Sequence, residues 1–217
     1  MRILLLADEP DVRLWDHLDR SLLEDIDLVI SCGDLPAEYL SFITCFTSAP
    51  ILYVHGNHDT RYEKKPPEGC ICIEDTIYRF RGLRILGLGG CMRYKPGAHQ
   101  YTEREMSKRI RKLRLKLWHN GGFDILVAHA PIRGVGDAED LAHRGFDSLR
   151  TLVEKYRPAY YIHGHVHKTY DFRFRREQMV GATTVINAWT SYIIEIDEPE
   201  QQSRGMLSWI RRPSDHR

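Results

Sequence analysis

Two short motifs far apart in the chain carry the side chains best suited to metal binding and proton transfer. They are Gly56-Asn57-His58-Asp59 and Gly164-His165-Val166-His167, and each follows an apolar run typical of a β-strand. In extended chain, alternate residues project to one side, so the imidazoles of His165 and His167 are expected to reach a common centre. A pair of solvent-facing histidines after a core strand is the alternative interpretation.

Three further apolar runs end in a carboxylate or an imidazole. They precede Asp8, Asp34 and His129, and they occupy residues 3–7, 28–32 and 125–128. Short continuous apolar runs are typical of strands buried on both faces, and α/β proteins place their sites where such strands end. The five runs together predict an α/β fold with a polar site at the carboxyl ends of its strands.

Taken in order, these Asp, Gly-Asp, Gly-Asn-His-Asp, His and Gly-His-x-His motifs resemble those of the calcineurin-like metallophosphoesterase superfamily. The resemblance spans Asp8 to His167, and the spaced motifs are highly specific as a set. It implies a four-layer α/β/β/α sandwich over residues 1–197, in which two mixed β-sheets are flanked by helices. It also implies a dinuclear metal centre at one edge of the sheets, and leaves residues 198–217 as a polar tail.

The resemblance assigns a ligand to each motif. Asp34 would bridge two divalent metal ions, with Asp8 and His167 completing one site. The amide oxygen of Asn57, together with His129 and His165, would complete the other. Mixed nitrogen and oxygen ligands suit Mn²⁺, Fe, Zn²⁺ or Ni²⁺ rather than Ca²⁺, and Mn²⁺ is the ion we expect first.

The first motif departs from the superfamily pattern. The usual Asp-x-His is replaced by Asp8-Glu9-Pro10, and proline offers no side-chain ligand. The site of Asp8, Asp34 and His167 is therefore expected to hold its metal more weakly than the other site. Glu9 is an alternative ligand, although a residue adjacent to Asp8 in extended chain points to the opposite side.

The chemistry implied by the resemblance is phosphoester hydrolysis. Two cations about 4 Å apart bind a phosphoryl oxygen and generate a bridging hydroxide that attacks phosphorus in line. His58 is the predicted general acid because it follows ligand Asn57 and is not itself a ligand in the family motif. Asp59 would orient the His58 ring or cap the following turn. The alternative for His58 is a packing histidine.

Substrate contacts are expected from two loops near the predicted metal centre. The loop 134–145 follows His129 and contains His143 and Arg144, and Arg144 has the geometry to bind a phosphate through two hydrogen bonds. Arg93 and Tyr94, after the glycine-rich turn, are further candidates. A surface or loop-anchoring role is the alternative for each.

Composition limits the class of protein. With 217 residues and 42% hydrophobic content the chain suits one compact domain, and its net charge of +1 gives no overall bias towards nucleic acid. Residues 104–117 nevertheless predict an amphipathic helix with a basic outer face, which would guide an anionic substrate, contact RNA or simply face solvent.

Neither a secretion signal nor a membrane span is evident. Five cysteines, an odd number, indicate a reducing compartment and a cytoplasmic protein.

Three function classes follow from these features. The first is a metal-dependent phosphoesterase acting on a small phosphoester or a nucleotide, with phosphodiesters slightly preferred over monoesters because a metal pair alone can neutralise the single charge of a diester. The second is a nuclease or RNA-processing enzyme, supported by the basic helix. The third is a non-catalytic scaffold that binds a protein partner, with Pro10 marking a lost metal site.

Overall fold

The computed structural model describes residues 1–167 and 175–198, which contain two large β-sheets packed face to face. The first sheet consists of β1 (Arg2–Ala7), β2 (Leu28–Ser31), β3 (Ile51–Tyr53), β4 (Cys70–Cys72) and β13 (Thr190–Glu195). Its spatial order is β13-β1-β2-β3-β4, and the strands are parallel except for β13, which pairs antiparallel with β1. The carboxyl ends of β1, β2 and β3 therefore lie at the same edge.

The second sheet has a parallel centre and a hairpin at each side. It consists of β5 (Ile77–Phe80), β6 (Leu83–Leu88), β9 (Ile125–Ala128), β10 (Tyr160–His163), β11 (Glu177–Val180) and β12 (Thr183–Asn187). The order is β11-β12-β10-β9-β6-β5, with antiparallel pairing in β11-β12 and β5-β6. A separate ribbon pairs β7 (Cys91–Met92) with β8 (Gln100–Tyr101).

Helices cover the outer face of each sheet. These are α1 (Ala37–Ile43), α2 (Glu103–Lys112), α3 (Arg114–Asn120) and α4 (Asp147–Tyr156), together with 3₁₀ turns at Val12–Leu14, Arg20–Leu22 and Asp59–Glu63. On β1, Ile3 and Leu5 belong to the core between the two sheets, whereas Leu4 and Leu6 pack with the residues of α1. Helices α2, α3 and α4 pack on the second sheet. This arrangement confirms the predicted four-layer α/β/β/α sandwich.

The basic segment 104–117 differs from the single helix that its periodicity predicts. Helix α2 begins after a capping box formed by Thr102 and Glu105 and ends at Lys112. The N–H of the next residue, Leu113, bonds to the carbonyls of Ile110 and Arg111. These shorter-range bonds tighten the backbone and separate α2 from α3. Leu113 is nevertheless buried, as the apolar face of an amphipathic helix requires.

Further predictions concern the cysteines, membrane-spanning segments and the polar tail. All five cysteines are free thiols, two of them buried. Within residues 1–167 and 175–198 no helix has the length and apolar character needed to cross a bilayer. The predicted polar tail lies outside the described residues after Glu198, so its boundary stays a prediction.

Candidate metal centre and active site

The carboxyl ends of strands from both sheets meet at one edge and deliver the predicted ligands. Strands β1 and β2 lead into Asp8 and Asp34, and β9 leads into His129. Asp8, Asp34 and His165 all adopt left-handed backbone conformations, with φ of 67°, 58° and 70°. Such φ values are uncommon for residues other than glycine and concentrate at functional sites, since the strain persists only where the surroundings impose it.

Among the described residues, Asp34, His129 and His165 form a compact group of metal-capable side chains. One ligand atom from each lies within 4.8 Å of the others. The Asp34 Oδ2 atom is 3.3 Å from His129 Nε2, and the Asn57 Oδ1 atom lies 3.2 Å from the same nitrogen. A carboxylate, an amide oxygen and two imidazoles are a suitable donor set for Mn²⁺, Fe, Zn²⁺ or Ni²⁺.

Backbone carbonyls orient both imidazoles of this group. His129 Nδ1 lies 2.8 Å from the Cys32 carbonyl oxygen, and His165 Nε2 lies 2.7 Å from the Ala142 carbonyl oxygen. Because a carbonyl can only accept, each of these nitrogens carries the proton, which leaves His129 Nε2 and His165 Nδ1 as the free ligand atoms. Carbonyl partners of this kind are typical of metal-binding histidines.

The charges within the group support cation binding. Burial alone would raise the pKa of Asp34, but the charge and hydrogen bond of His129 outweigh it and lower the pKa to about 2. Burial alone would lower the pKa of His129, yet Asp34 raises it to about 9. Burial lowers the pKa of His165 to about 3 and keeps that ring neutral. The negative potential that favours a proton on His129 would equally favour a metal ion.

Asp8, His167 and Glu9 form a second, looser group. Both oxygens of Asp8 accept the backbone N–H of His165 at 2.9 Å, and Asp8 Oδ1 is 3.7 Å from His167 Nε2. Glu9 Oε1 lies 3.4 Å from His167 Nδ1. Glu9 approaches His167 instead of pointing to the opposite side, because the left-handed conformation at Asp8 breaks the strand alternation.

The extended-chain premise for His165 and His167 was also wrong. Strand β10 ends at His163, and His165 lies in a left-handed turn beyond it. The turn, rather than strand alternation, directs His165 to the Asp34 group and His167 to Asp8.

A glycine permits the close approach of two ligand loops. A Cβ atom added to Gly56 would lie 2.0 Å from Asp34 Oδ1 and 2.6 Å from the Asp34 backbone nitrogen. No side chain fits at that distance. Gly56 therefore allows the loop after β3 to bring Asn57 beside the loop after β2.

His58 and Asp59 face opposite environments. The exposed His58 lines a cleft, and its backbone N–H donates to Asp34 Oδ1 at 2.7 Å. Asp59 is buried, and its Oδ2 atom accepts the backbone N–H groups of Asp34 and Gly56 at 2.8 and 2.7 Å. These contacts join the two loops. Asp59 is the first residue of the 3₁₀ turn, and His58, at the N-cap position, makes no side-chain capping hydrogen bond.

The predicted substrate residues have different surroundings. His143 lies against the metal group, with its ring 5.2 Å from that of His165 and its Nδ1 atom 3.0 Å from Asp140. Arg144 donates to the Glu139 carbonyl at 3.4 Å. Arg93 is paired with Glu105 and donates to the Gln100 carbonyl.

Tyr94 reaches the metal group directly. Its hydroxyl accepts from Asn57 Nδ2 at 3.4 Å. The contact turns the amide nitrogen of Asn57 away from His129 and leaves its oxygen as the ligand atom.

A cleft of about 630 Å³ opens beside the metal group. Asp8, Asp34 and His58 line one part of it, and a basic set formed by Arg61, Lys64 and Lys65 lines another. No sequence motif marks this basic set, although His58, Arg61 and Lys64 recur at a spacing of three residues.

Comparisons with known proteins agree with this fold. Residues 1–169 match the profile of the calcineurin-like phosphoesterase family. The protein TT1561 of Thermus thermophilus is 18% identical, with a TM-score of 0.59 over 87% of this chain and 88% of that protein. A putative 5'-nucleotidase from Staphylococcus aureus is 12% identical, with a TM-score of 0.52. The match covers 91% of this chain and 52% of that protein. At these identities the similarity is one of fold. No curated protein matches the sequence.

Proposed function

Because the chain belongs to the calcineurin-like phosphoesterase family, we propose that it is a metal-dependent phosphoesterase that prefers phosphodiesters to monoesters. The observation that carries the proposal is the group of Asp34, His129 and His165, whose ligand atoms lie within 4.8 Å of one another beside an open cleft. Asn57, His129 and His165 would hold one divalent ion, Asp8 and His167 would hold the other, and Asp34 would contribute to both. The ion is Mn²⁺, Fe, Zn²⁺ or Ni²⁺.

The second site is the weaker of the two in this proposal. Pro10 supplies no ligand, and the supporting contacts of Asp8 and His167 are longer than those of the first group, at 3.7 Å against 3.3 Å for Asp34 and His129. Glu9 is close enough to His167 to orient its ring or to add a carboxylate oxygen. A metal titration is expected to show one tight and one labile ion.

His58 and Asp59 have different roles in the proposed reaction. Bound divalent cations would supply Lewis acidity and an activated water for attack on phosphorus. His58, exposed in the cleft next to Asn57, donates a proton to the leaving oxygen. Asp59 is a positioning residue, because it fixes the backbone of Asp34 and Gly56 rather than facing the cleft.

The substrate and cell compartment complete the proposal. A diester carries one negative charge at phosphorus, which a metal pair can neutralise without further protein cations, and for this reason diesters are preferred. His143 lies beside His165, and His143 and Arg144 of the loop 134–145 are proposed to contact the ester. The five free thiols support a reducing, cytoplasmic location.

The test is hydrolysis by metal-stripped protein reloaded with Mn²⁺. Bis(p-nitrophenyl) phosphate and p-nitrophenyl phosphate are the diester and monoester, and Asp34→Ala is expected to abolish turnover and reduce bound metal. His58→Gln is expected to lower kcat roughly 10²-fold or more while metal content is unchanged. His119→Gln, an exposed histidine on α3, is the matched control. Bound Mn²⁺ without turnover of either ester would refute the proposal and favour the scaffold.

A further inference from the structure

The geometry of the cleft points to a second phosphate subsite: we propose that Arg61 and Lys64 bind a phosphate group carried by the leaving group of the diester. This inference rests on the proposed phosphodiesterase function and names its substrate class. The ligand is a phosphodiester whose leaving group is a nucleoside, or a group of similar size, that bears an additional phosphate.

The 3₁₀ turn at Asp59–Glu63 aligns side chains that are three residues apart. A 3₁₀ helix has three residues per turn and a rise of about 2 Å per residue, so side chains three apart lie one above another about 6 Å apart. His58 is the residue before this turn and Lys64 is the residue after it. His58, Arg61 and Lys64 therefore form a row, and all three line the same cleft as Asp8 and Asp34.

The cations that line the cleft differ in whether an acidic side chain neutralises them. Lys65 is paired with Glu38 at 3.1 Å, so these two groups largely cancel. The side chains of Arg61 and Lys64 make no hydrogen bond or ion pair with the residues that the structure describes, and both are exposed at the cleft. Two cations in a row, without such contacts in the described part of the chain, favour a bound anion.

An apolar wall lies between the metal centre and the two cations of the cleft. The wall of the cleft is apolar and is formed by Pro10, Leu35, Pro36 and Tyr62. Tyr62 is buried and held by a short hydrogen bond from its hydroxyl to the Leu35 carbonyl. An apolar wall between a metal centre and two cations suits an organic group that connects two phosphates, as a nucleoside does.

The subsite lies on the leaving-group side of the reacting phosphorus. In the proposed mechanism His58 protonates the leaving oxygen. Arg61 and Lys64 follow His58 in the row, so they lie on the side of the leaving group. The additional phosphate should therefore increase the rate when it is attached to the leaving nucleoside.

The experiment compares three dinucleotides with the Mn²⁺-loaded protein at low salt. They are thymidylyl-thymidine (TpT), its 5'-phosphorylated form (pTpT) and its 3'-phosphorylated form (TpTp). The products show which nucleoside leaves. We expect kcat/KM about tenfold above that of TpT for the dinucleotide whose leaving nucleoside is phosphorylated, as two charge-assisted contacts at an exposed site would give.

Variants separate this subsite from general effects. Arg61→Gln/Lys64→Gln is expected to reduce the ratio of kcat/KM between that dinucleotide and TpT to about one. Arg104→Gln/Lys108→Gln removes two exposed cations from α2 and is expected to preserve the ratio. Addition of salt should lower the ratio in the wild-type protein.

The outcomes distinguish this inference from the function on which it rests. Hydrolysis of bis(p-nitrophenyl) phosphate together with equal rates for the three dinucleotides, or with no dinucleotide hydrolysis, would overturn the subsite alone. A ratio that survives in the double variant, or a gain confined to the other phosphorylated end, would also overturn it. No hydrolysis of bis(p-nitrophenyl) phosphate would overturn the proposed function and the subsite with it.

Discussion

Replacing Arg109 with alanine should destabilise the protein strongly, because Arg109 neutralises a buried carboxylate behind the metal centre. Its guanidinium forms a short ion pair with Glu74, donates to Asp75 at 2.9 Å and stacks over the ring of Tyr101 at 4.4 Å. Glu74 in turn accepts the backbone N–H of His55 at 3.2 Å, which holds the segment that leads into Gly56 and Asn57.

Two estimates bear on the magnitude. Removing one partner of a buried ion pair costs about 3–5 kcal/mol when the other charge stays buried without compensation. Glu74 keeps its contacts with His55 and Gly89, which places Arg109→Ala at the lower end of that range. Burial alone would raise the pKa of Glu74, but the hydrogen bond of His55 and the charge of Arg109 lower it from 4.5 to about 2. At about 1.4 kcal/mol per pKa unit this fall corresponds to about 3 kcal/mol, which His55 and Arg109 share. The side chains are 12% and 19% exposed, so solvent screening reduces the value little.

Thermal or urea unfolding of metal-free protein tests the estimate. For a chain of this length 1 kcal/mol shifts Tm by about 2–4 °C, so a loss of about 3 kcal/mol in Arg109→Ala should lower Tm by roughly 6–12 °C. Arg104→Ala, on the same helix and exposed, is the matched control and should change stability by no more than about 0.5 kcal/mol. If the two variants were equally stable, the reasoning from buried charge would be wrong.

Three further changes have outcomes that the structure specifies. Asp59→Ala leaves two buried N–H groups without an acceptor and should cost about 1–3 kcal/mol for each, whereas Asp59→Asn retains a carbonyl and should cost less; urea unfolding ranks them. Gly56→Ala places a methyl group against Asp34 and should reduce bound Mn²⁺ in elemental analysis, while Gly181→Ala, which meets nothing within 4 Å, should not. The stabilisation from Glu74 is present above its unfolded pKa and lost as pH falls from 4.5 towards 2, so Glu74→Gln should show a shallower loss of stability over that interval.

The position of the site was predictable because it depends on strand ends. Parallel strands share a direction, so residues that follow β1, β2 and β3 must lie at one edge, and the apolar runs mark where each strand ends. The pairing of the two sheets was not readable from the residues themselves. Leu4 and Leu5 are equally apolar and equally buried, yet they face different layers.

The local geometry of the site was less predictable because backbone atoms determine much of it. The carbonyls of Cys32 and Ala142 orient His129 and His165, and a carbonyl has no side-chain signature. The left-handed turns at Asp8 and His165 occur at residues that are not glycine, so the sequence favoured extended chain there. That difference explains why Glu9 approaches His167.

The edge of the sheets concentrates carboxylates, and one of them, Asp59, lies there at a cost to the stability of the metal-free fold. Burial, followed by the charge of Asp34, raises the pKa of Asp59 to about 6, which shows that ionised Asp59 is disfavoured where it lies. A proton on His129 offsets part of this charge, since Asp34 raises the pKa of that ring despite its burial. Apolar residues would pack such an edge at lower cost, because buried charges contribute little net stability. A divalent cation between Asp34, His129 and His165 would offset the repulsion between Asp34 and Asp59 directly, so metal binding would account for the one carboxylate of this edge that folding alone does not favour.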